Sequence, residues 1–508
     1  MNRSKNVTSG VIVGGANYVL GIVCPFLIRT IMIRYLGNEY LGLNSLFTSI
    51  LQVLSLSELG FGVAIAYLLY EPLAKEDFLR INHILNFYKL VYIVIGFAII
   101  GISIVLTFFL PSLVSGEVPS DINLYILFWI YVINTSLSYF LFAYKRILLS
   151  ANQRYDTEMV IAMIASIARY LIQIVGLIIF HNYYLYAIAL PVGTIIDNVV
   201  CALVVNKLYP WCNPSGRLDR SEIIDVIKNT GGAFCSKIGS TVYLSVDSIV
   251  ISAFLGLFVL GTYNNYYYIV SMFIMFLAVV HNSIRPVIGN YWVVESREKN
   301  WSLFKRVNLG YMLFVTIICA CLLPLLQKFE ILWAGKNNVL DADIVILFVI
   351  YFWVGRLTAI PSLYLEATGT LWQGKLVPLI SAGVNLGLNI VLVKTIGLTG
   401  VLISSIVAAG IITIPGYMGV LKRTIFREYR YIRYTALFIA HMLVNVTCVC
   451  AVTRYLDFIL NLNNTWTNFI IEGVLIFVVA MITILVLNLW NPEFRELLLY
   501  IKRKVRIK

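Results

Sequence analysis

Charge is what this sequence has least of. Only 12% of its 508 residues are Asp, Glu, Lys or Arg, where soluble domains carry about 25%. Long polar stretches are missing too. The longest segment between apolar runs is 207–229, far too short for a soluble ATPase domain. The four histidines, His83, His181, His281 and His441, are dispersed, and no Ser/His/Asp or His/Cys/Glu constellation forms around them. The eight cysteines make no framework. Cys319/Cys321 and Cys448/Cys450 are Cys-x-Cys pairs inside apolar helices, where i and i+2 point to different faces and suit no metal. One near nucleotide motif, Gly369 to Leu376, has Leu where a P-loop needs Ser or Thr for magnesium, and no strand precedes it. It reads as a tight turn. No metal, cofactor or nucleotide is expected, and the coupling ion, a proton or sodium, is left open.

What is abundant is apolar residue, 60% of the chain, in runs of 18 or more from end to end. Such runs are continuous and not alternating, so they read as spanning helices and not as a β-barrel. The expectation is an all-α, polytopic integral membrane protein with 14 transmembrane helices. They lie near 11–34, 41–70, 86–110, 121–149, 157–180, 184–206, 230–255, 259–291, 304–327, 342–368, 374–396, 398–421, 434–453 and 468–490. Met1 to Lys5 is basic, but the run that follows contains Asn17, Pro25 and Arg29 and is too long for a signal peptide core, so it reads as an uncleaved first span. Sorting Lys and Arg by side of these spans puts 28 on one side and five on the other, the five being Arg34, Lys328, Lys336, Lys394 and Arg454. The positive-inside rule then places both termini in the cytoplasm. The net charge of +13 thus follows from topology, and the basic tail, Lys502 to Lys508, is expected to rest on anionic lipid rather than nucleic acid.

The chain also repeats itself. Tyr35-Leu36-Gly37-x-x-Tyr40-Leu41-Gly42 is answered in the second half by Phe254-Leu255-Gly256-x-x-Val259-Leu260-Gly261. Leu149-Ser150-Ala151-Asn152 is answered, at a similar offset, by Leu365-Glu366-Ala367-Thr368. Ile396-Gly397-Leu398-Thr399-Gly400 is another tight turn. Either Leu-Gly turns are merely common at helix ends, or the bundle is duplicated. Duplication divides the chain into a lobe of six helices at 1–206, a linker at 207–229 with Pro210, Pro214 and Gly216, a second lobe at 230–425, and helices 13 and 14 with the tail at 426–508. Parallel repeats commonly place a substrate site at their interface.

Five cations fall inside the spans: Arg29, Arg169, Lys237, Arg285 and Arg356. Each costs roughly 2.5–3.5 kcal/mol at a lipid-facing helix centre, so they belong in a bundle interior or a watery cavity. Arg169 and Arg356 are mid-span, and Gln173 shares the Arg169 face. Lys237 heads a polar stripe of Ser240, Thr241, Ser245 and Ser248. Arg29 after Pro25, and Arg285 beside Pro286, could instead snorkel to an interface. Three acids also lie deep, Glu58, Asp197 and Asp247. They either pair with cations to hold helices together or serve ion coupling or gating, and an excess of cation remains. Arg grips a dianion such as pyrophosphate through its planar fork. His281 is either packed or a proton relay. The run Tyr263-Asn264-Asn265-Tyr266-Tyr267-Tyr268 reads as an interfacial belt or a sugar-stacking surface. Gly10, Gly14, Asn17 and Gly21 form a face open to close helix approach.

With Asn17, Pro25, Tyr35-Leu36-Gly37-x-x-Tyr40-Leu41-Gly42-Leu43 and Ser57-Glu58-Leu59-Gly60-Phe61-Gly62, the chain resembles bacterial polysaccharide repeat-unit flippases. These belong to the multidrug/oligosaccharidyl-lipid/polysaccharide exporter superfamily. The resemblance implies two six-helix, MATE-like lobes in a V around a cationic cavity, in the bacterial cytoplasmic membrane. It implies undecaprenyl-pyrophosphate-linked oligosaccharide as cargo, for O-antigen, capsule or teichoic acid, with membrane lipids and the polysaccharide polymerase machinery as partners. Helices 13 and 14 are extra to the twelve-helix drug exporters. A cation-coupled drug exporter is the second reading, disfavoured because a positive cavity repels cationic drugs. A membrane glycan polymerase or ligase is the third, disfavoured by the short loops.

Overall fold

The computed structural model describes residues 3–55, 61–460 and 462–506, and among them every regular element is helical. The chain divides into two compact units, Met1–Gly261 and Thr262–Lys508. In chain order the helices of the first are α1 (Arg3–Tyr35), α2 (Asn38–Leu54), α3 (Phe61–Ala74), α4 (Phe78–Thr107), α5 (Leu124–Phe140), α6 (Arg146–Ala151), α7 (Tyr155–Ile178), α8 (Tyr183–Leu208) and α9 (Arg220–Leu255). Helix α10 (Leu257–Val294) starts at the end of the first unit and continues into the second. There follow α11 (Arg297–Trp333), α12 (Ala342–Arg356), α13 (Ala359–Ala367), α14 (Leu376–Ala408), α15 (Ile414–Thr424), α16 (Tyr431–Leu460), α17 (Trp466–Asn488) and α18 (Pro492–Arg506).

Among the described residues, ten helical runs are long and apolar enough to cross a membrane, eleven if the bent pair α5 and α6 counts as one. One of these runs, Leu371–Thr424, contains two expected spans. Within α14 the chain leaves helical geometry at Ile396 and Gly397 and doubles back. Asn385 donates to Ser405 at 2.8 Å, and Ser381 meets Thr413 at 2.8 Å. The expected turn at Gly397 is this reversal. The expected second span takes in α2, α3 and residues 56–60, which lie outside the described residues.

The repeat is written into backbone geometry. Gly37 (φ 111°) and Gly256 (φ 88°) both sit in the left-handed region open to glycine. Their N–H groups reach back to Met32 and Ile251, at 3.0 and 3.1 Å. The two turns then pack on each other. A Cβ on Gly42 would collide with the Leu257 carbonyl oxygen, and one on Gly261 with that of Asn38. No larger residue fits either place. The second motif behaves alike. Gln153 (φ 58°) and Gly369 (φ 71°) end their helices, and Arg154 and Thr370 donate to Leu149 and Leu365 at 2.8 and 2.9 Å. These are C-terminal caps of the same type. Both helices break at matching points as well, at Phe142 (φ 55°) before α6 and at Leu357–Thr358 before α13.

The segment before α9 is strapped to the start of α4. Asn82 donates to the Trp211 carbonyl at 3.1 Å and accepts from the Asn213 N–H at 2.8 Å, and Asn86 donates to the Gly216 carbonyl at 2.8 Å. Phe78 lies against Trp211 with ring centroids 4.6 Å apart, and Arg80 pairs with Glu222 at 2.7 Å. Helix α9 begins at a capping box of Asp219 and Glu222.

In the second unit, α16 and α17 are fastened to α11 by ions. Lys328 Nζ lies 2.5 Å from Asp457 and 2.7 Å from Glu472, whose side chain is only 2% exposed. Buried pairs of this kind hold helices in register, because losing one partner strands the other. Lys328 thus belongs to helix packing and not to the expected loop. The tyrosine run opening α10 packs inward too. Tyr263 and Tyr266 are 2% and 0% exposed, and Tyr266 donates to Gln327 at 2.7 Å. For these two rings, core packing replaces both expected roles, belt and sugar platform. Helix α18 docks on α11 through Lys305–Glu493 at 2.9 Å and Arg306–Glu496 at 3.8 Å.

Candidate functional site

In the first unit two arginines face one tyrosine. Arg29 lies one turn after Pro25 in α1, where the imino nitrogen removes a backbone hydrogen bond. Arg169 lies within α7, which packs against both α1 and α8. Both guanidinium groups are in electrostatic reach of the buried Tyr186 hydroxyl on α8. The Arg169 stem runs along Gly193. A Cβ there would come within 3.1 Å of it, so α8 is notched where the side chain passes. Among the described residues no carboxylate pairs with Arg169, whose guanidinium carbon lies 4.9 Å from the Tyr170 ring centroid.

Phenols and an amide extend the patch. Tyr186 donates to Asn44 Oδ1 at 3.3 Å and Tyr131 to the same oxygen at 2.7 Å. Tyr131 and Tyr183 hydroxyls meet at 3.1 Å, and Tyr183 stacks on Tyr186 with centroids 5.3 Å apart. Two fixed cations beside oriented hydroxyl groups can hold an oxyanion by charge-assisted bonds and a neighbouring polyol by neutral ones.

The other expected residues of this unit are placed differently. Lys237 is exposed, while Thr241, Ser245 and Ser248 are 6%, 1% and 7% exposed. Ser245 meets Gln52 at 3.4 Å, so the stripe below Lys237 packs α9 on α2. Asp197 pairs with Arg146 at 2.5 Å, and Arg146 also faces Glu158 at 4.0 Å. Asp247 is buried at 5% exposure. Glu58 lies outside the described residues. A Cβ on Gly14 or Gly21 would meet nothing within 4 Å, so these glycines carry no close helix contact.

The second unit holds Arg285 and Arg356. Arg356 is the last residue of α12, at a helix break in the middle of the span Ala342–Ala367. There its charge faces the negative end of the helix dipole, and Tyr311 of α11 is a hydrogen-bond partner. Arg285 on α10 is 52% exposed and pairs with Glu366 of α13 at 3.4 Å. His281, one turn earlier on α10, lies in electrostatic reach of Glu366, Arg285 and Arg356 and in hydrogen-bond contact with the Ala359 backbone. The structure therefore brings Arg29 with Arg169, and Arg285 with Arg356.

Sequence reasoning missed Tyr186, Asn44 and Glu366. Tyrosine is common in the chain, 32 residues, and nothing marks Tyr186 among them. Glu366 was in view as part of the repeat, but its place at a helix end concealed that it faces Arg285. The near nucleotide motif is a turn in which Lys375 Nζ lies 3.4 Å from the Trp372 ring centroid. Among the described residues no group of three His, Cys, Asp or Glu could hold a metal ion. A cavity of about 250 Å³ in the second unit, lined by Lys305, Tyr434, His441, Asn491, Glu493 and apolar neighbours, contains none of the five cations.

A family model described as polysaccharide biosynthesis protein matches residues 4–292. No curated protein sequence matches the chain. Among solved structures, the lipid II flippase MurJ in its inward closed conformation aligns over 94% of this chain and 98% of its own, with 16% identity and a TM-score of 0.69. An inward-facing multidrug resistance MATE transporter of the MOP superfamily aligns over 78% of this chain and 94% of its own, with 16% identity and a TM-score of 0.57. A MOP superfamily transporter from Pyrococcus furiosus, described by the reverse polarity of its binding pocket, aligns over 82% and 96%, with 13% identity and a TM-score of 0.54. At these identities the likeness establishes a shared fold.

Proposed function

The chain belongs to the polysaccharide biosynthesis protein family, and from that premise we propose that it is a flippase for undecaprenyl-pyrophosphate-linked oligosaccharide repeat units. It works by alternating access in the bacterial cytoplasmic membrane, with 14 crossings and both termini inside. Lobes 1–206 and 230–425, joined by 207–229, move around the cargo, and 426–508 adds two helices and a basic tail. The observation that carries this reading is the approach of Arg29 and Arg169 to Tyr186 in a half-buried setting.

The pyrophosphate is held by Arg169, Arg356 and, through a screened attraction from its exposed position, Lys237, helped by Arg29 and Arg285. Guanidinium forks match its oxygens, and fixed cations inside a membrane lower the cost of bringing a dianion there. Sugars cross beside hydroxyl and amide groups, while the prenyl chain stays in lipid. Asp197, held by Arg146, and Asp247 serve ion coupling or gating together with Glu58, and the polymerase machinery receives the product. A drug exporter for cationic compounds would need the opposite charge at these positions.

The test is translocation of a fluorescent polyprenyl-pyrophosphate oligosaccharide in proteoliposomes, with surface polysaccharide measured in cells. Arg169→Ala and Arg356→Ala should reduce both to background at normal expression. Near-normal transport by both variants refutes the placement, and transport of cationic dyes instead of lipid glycan refutes the function.

A further inference from the structure

The Arg285–Glu366 contact is ill suited to a permanent structural role. At 3.4 Å it is longer than the roughly 2.7–2.9 Å typical of a strong charge-assisted bond, and its side chains are 52% and 30% exposed. An ion pair this open is weak. Either a proton on the carboxylate or a competing anion at the guanidinium can undo it.

The surroundings supply what such a switch requires. From α10, His281 and Arg285 face Glu366; from α12, Arg356 faces His281; from α15, Tyr417 faces Glu366. Helices α10 and α13 approach at one point, where a Cβ on Gly289 would lie 3.3 Å from the Ala367 carbonyl oxygen. With Glu366 ionised and His281 neutral, two guanidinium charges stand against one carboxylate. One proton on Glu366 removes the carboxylate charge, leaving both arginines for a dianion.

We infer that Glu366 and His281 form a proton site that controls the anion site of Arg285 and Arg356. On protonation hydronium gives a proton to a ring nitrogen of His281 and becomes water, the imidazolium N–H bond then breaks as an O–H bond forms on the Glu366 carboxylate, and His281 returns to neutral. Arg285 is then released to the pyrophosphate. On deprotonation Glu366 takes Arg285 back and expels the anion. The cargo in this scheme rests on the flippase reading; the proton site itself rests on the geometry of α10, α12 and α13.

The test uses the full-length purified protein in two arms. In the first, without ligand, infrared difference spectra on acidification should show a carboxylic-acid band, lost in Glu366→Gln and displaced in His281→Gln. In the second, farnesyl pyrophosphate binding is measured by calorimetry in buffers of different ionisation enthalpy. Binding should take up about one proton and strengthen about tenfold per pH unit of acidification while Glu366 is ionised. Glu366→Gln should bind tightly with no pH dependence, and Arg285→Ala should bind weakly throughout. A band or a pH dependence unchanged in Glu366→Gln overturns the inference. A titrating band without any pyrophosphate binding upholds the proton site and overturns the flippase reading.

Discussion

The two units treat their intramembrane arginines differently. In the first, Arg169 lies along a glycine notch and faces tyrosine. In the second, Arg285 faces a carboxylate and Arg356 terminates a helix. Matched positions of the repeat show the same divergence. Ser150 in the first unit bonds Glu158 at 3.0 Å, while its counterpart in the second copy of the motif is Glu366, paired with Arg285. A duplicated backbone has thus been given a fixed cation in one half and a neutralisable one in the other. Fold follows from the repeat; chemistry follows from the few residues by which its halves differ.

That contrast can be broken in graded steps. The largest effect on ligand binding belongs to Arg169→Ala, which removes a charge that no carboxylate among the described residues compensates. Pyrophosphate-lipid binding should weaken by roughly 10- to 100-fold, from the roughly 1.5–3 kcal/mol of a hydrogen bond to a charged group, and a binding isotherm checks it. Next is Lys328→Met, a cation whose role is packing. It strands Asp457 and Glu472 and should lower stability by about 3 kcal/mol, read as earlier unfolding, with ligand affinity in the surviving folded protein unchanged. Gly193→Val keeps every charge but fills the notch beside Arg169. By pushing the Arg169 stem off its place it should weaken the same ligand by about tenfold, about 1.4 kcal/mol, with normal expression. Lys237→Ala is the mildest. An exposed charge acts through screened attraction, so a change of a few-fold that fades at high salt is expected.

Much of this was legible in the sequence because it depends on local rules. Continuous apolar runs indicated the helices, and Leu-Gly turns at similar offsets marked corners that the backbone repeats at Gly37 and Gly256. The cost of a charge in lipid singled out the arginines. The rest depends on neighbours distant in sequence. No periodicity reveals that Tyr186 faces Arg29 and Arg169, that Lys328 reaches Glu472 on a helix far along the chain, or that α12 stops at Arg356. Glu472 carried a signal that could have been read, a lone acid inside an apolar span, by the same cost argument applied to Asp197 and Asp247. The tyrosines of α10 misled because aromatic residues near a span end suit an interface and a core equally well.

The central claim, an anionic lipid-linked cargo on these arginines, is tested most directly by thermal unfolding of the purified protein. One sample receives a polyprenyl-pyrophosphate oligosaccharide and a parallel one a cationic dye. At a hundredfold its dissociation constant a specific ligand stabilises by about 2.7 kcal/mol. The account predicts stabilisation by the lipid glycan, cut to about 0.4–1.4 kcal/mol in Arg169→Ala at the same ligand concentration and not reproduced by the dye. Stabilisation by the dye alone would contradict it and leave Arg29, Arg169, Arg285 and Arg356 as structural charges.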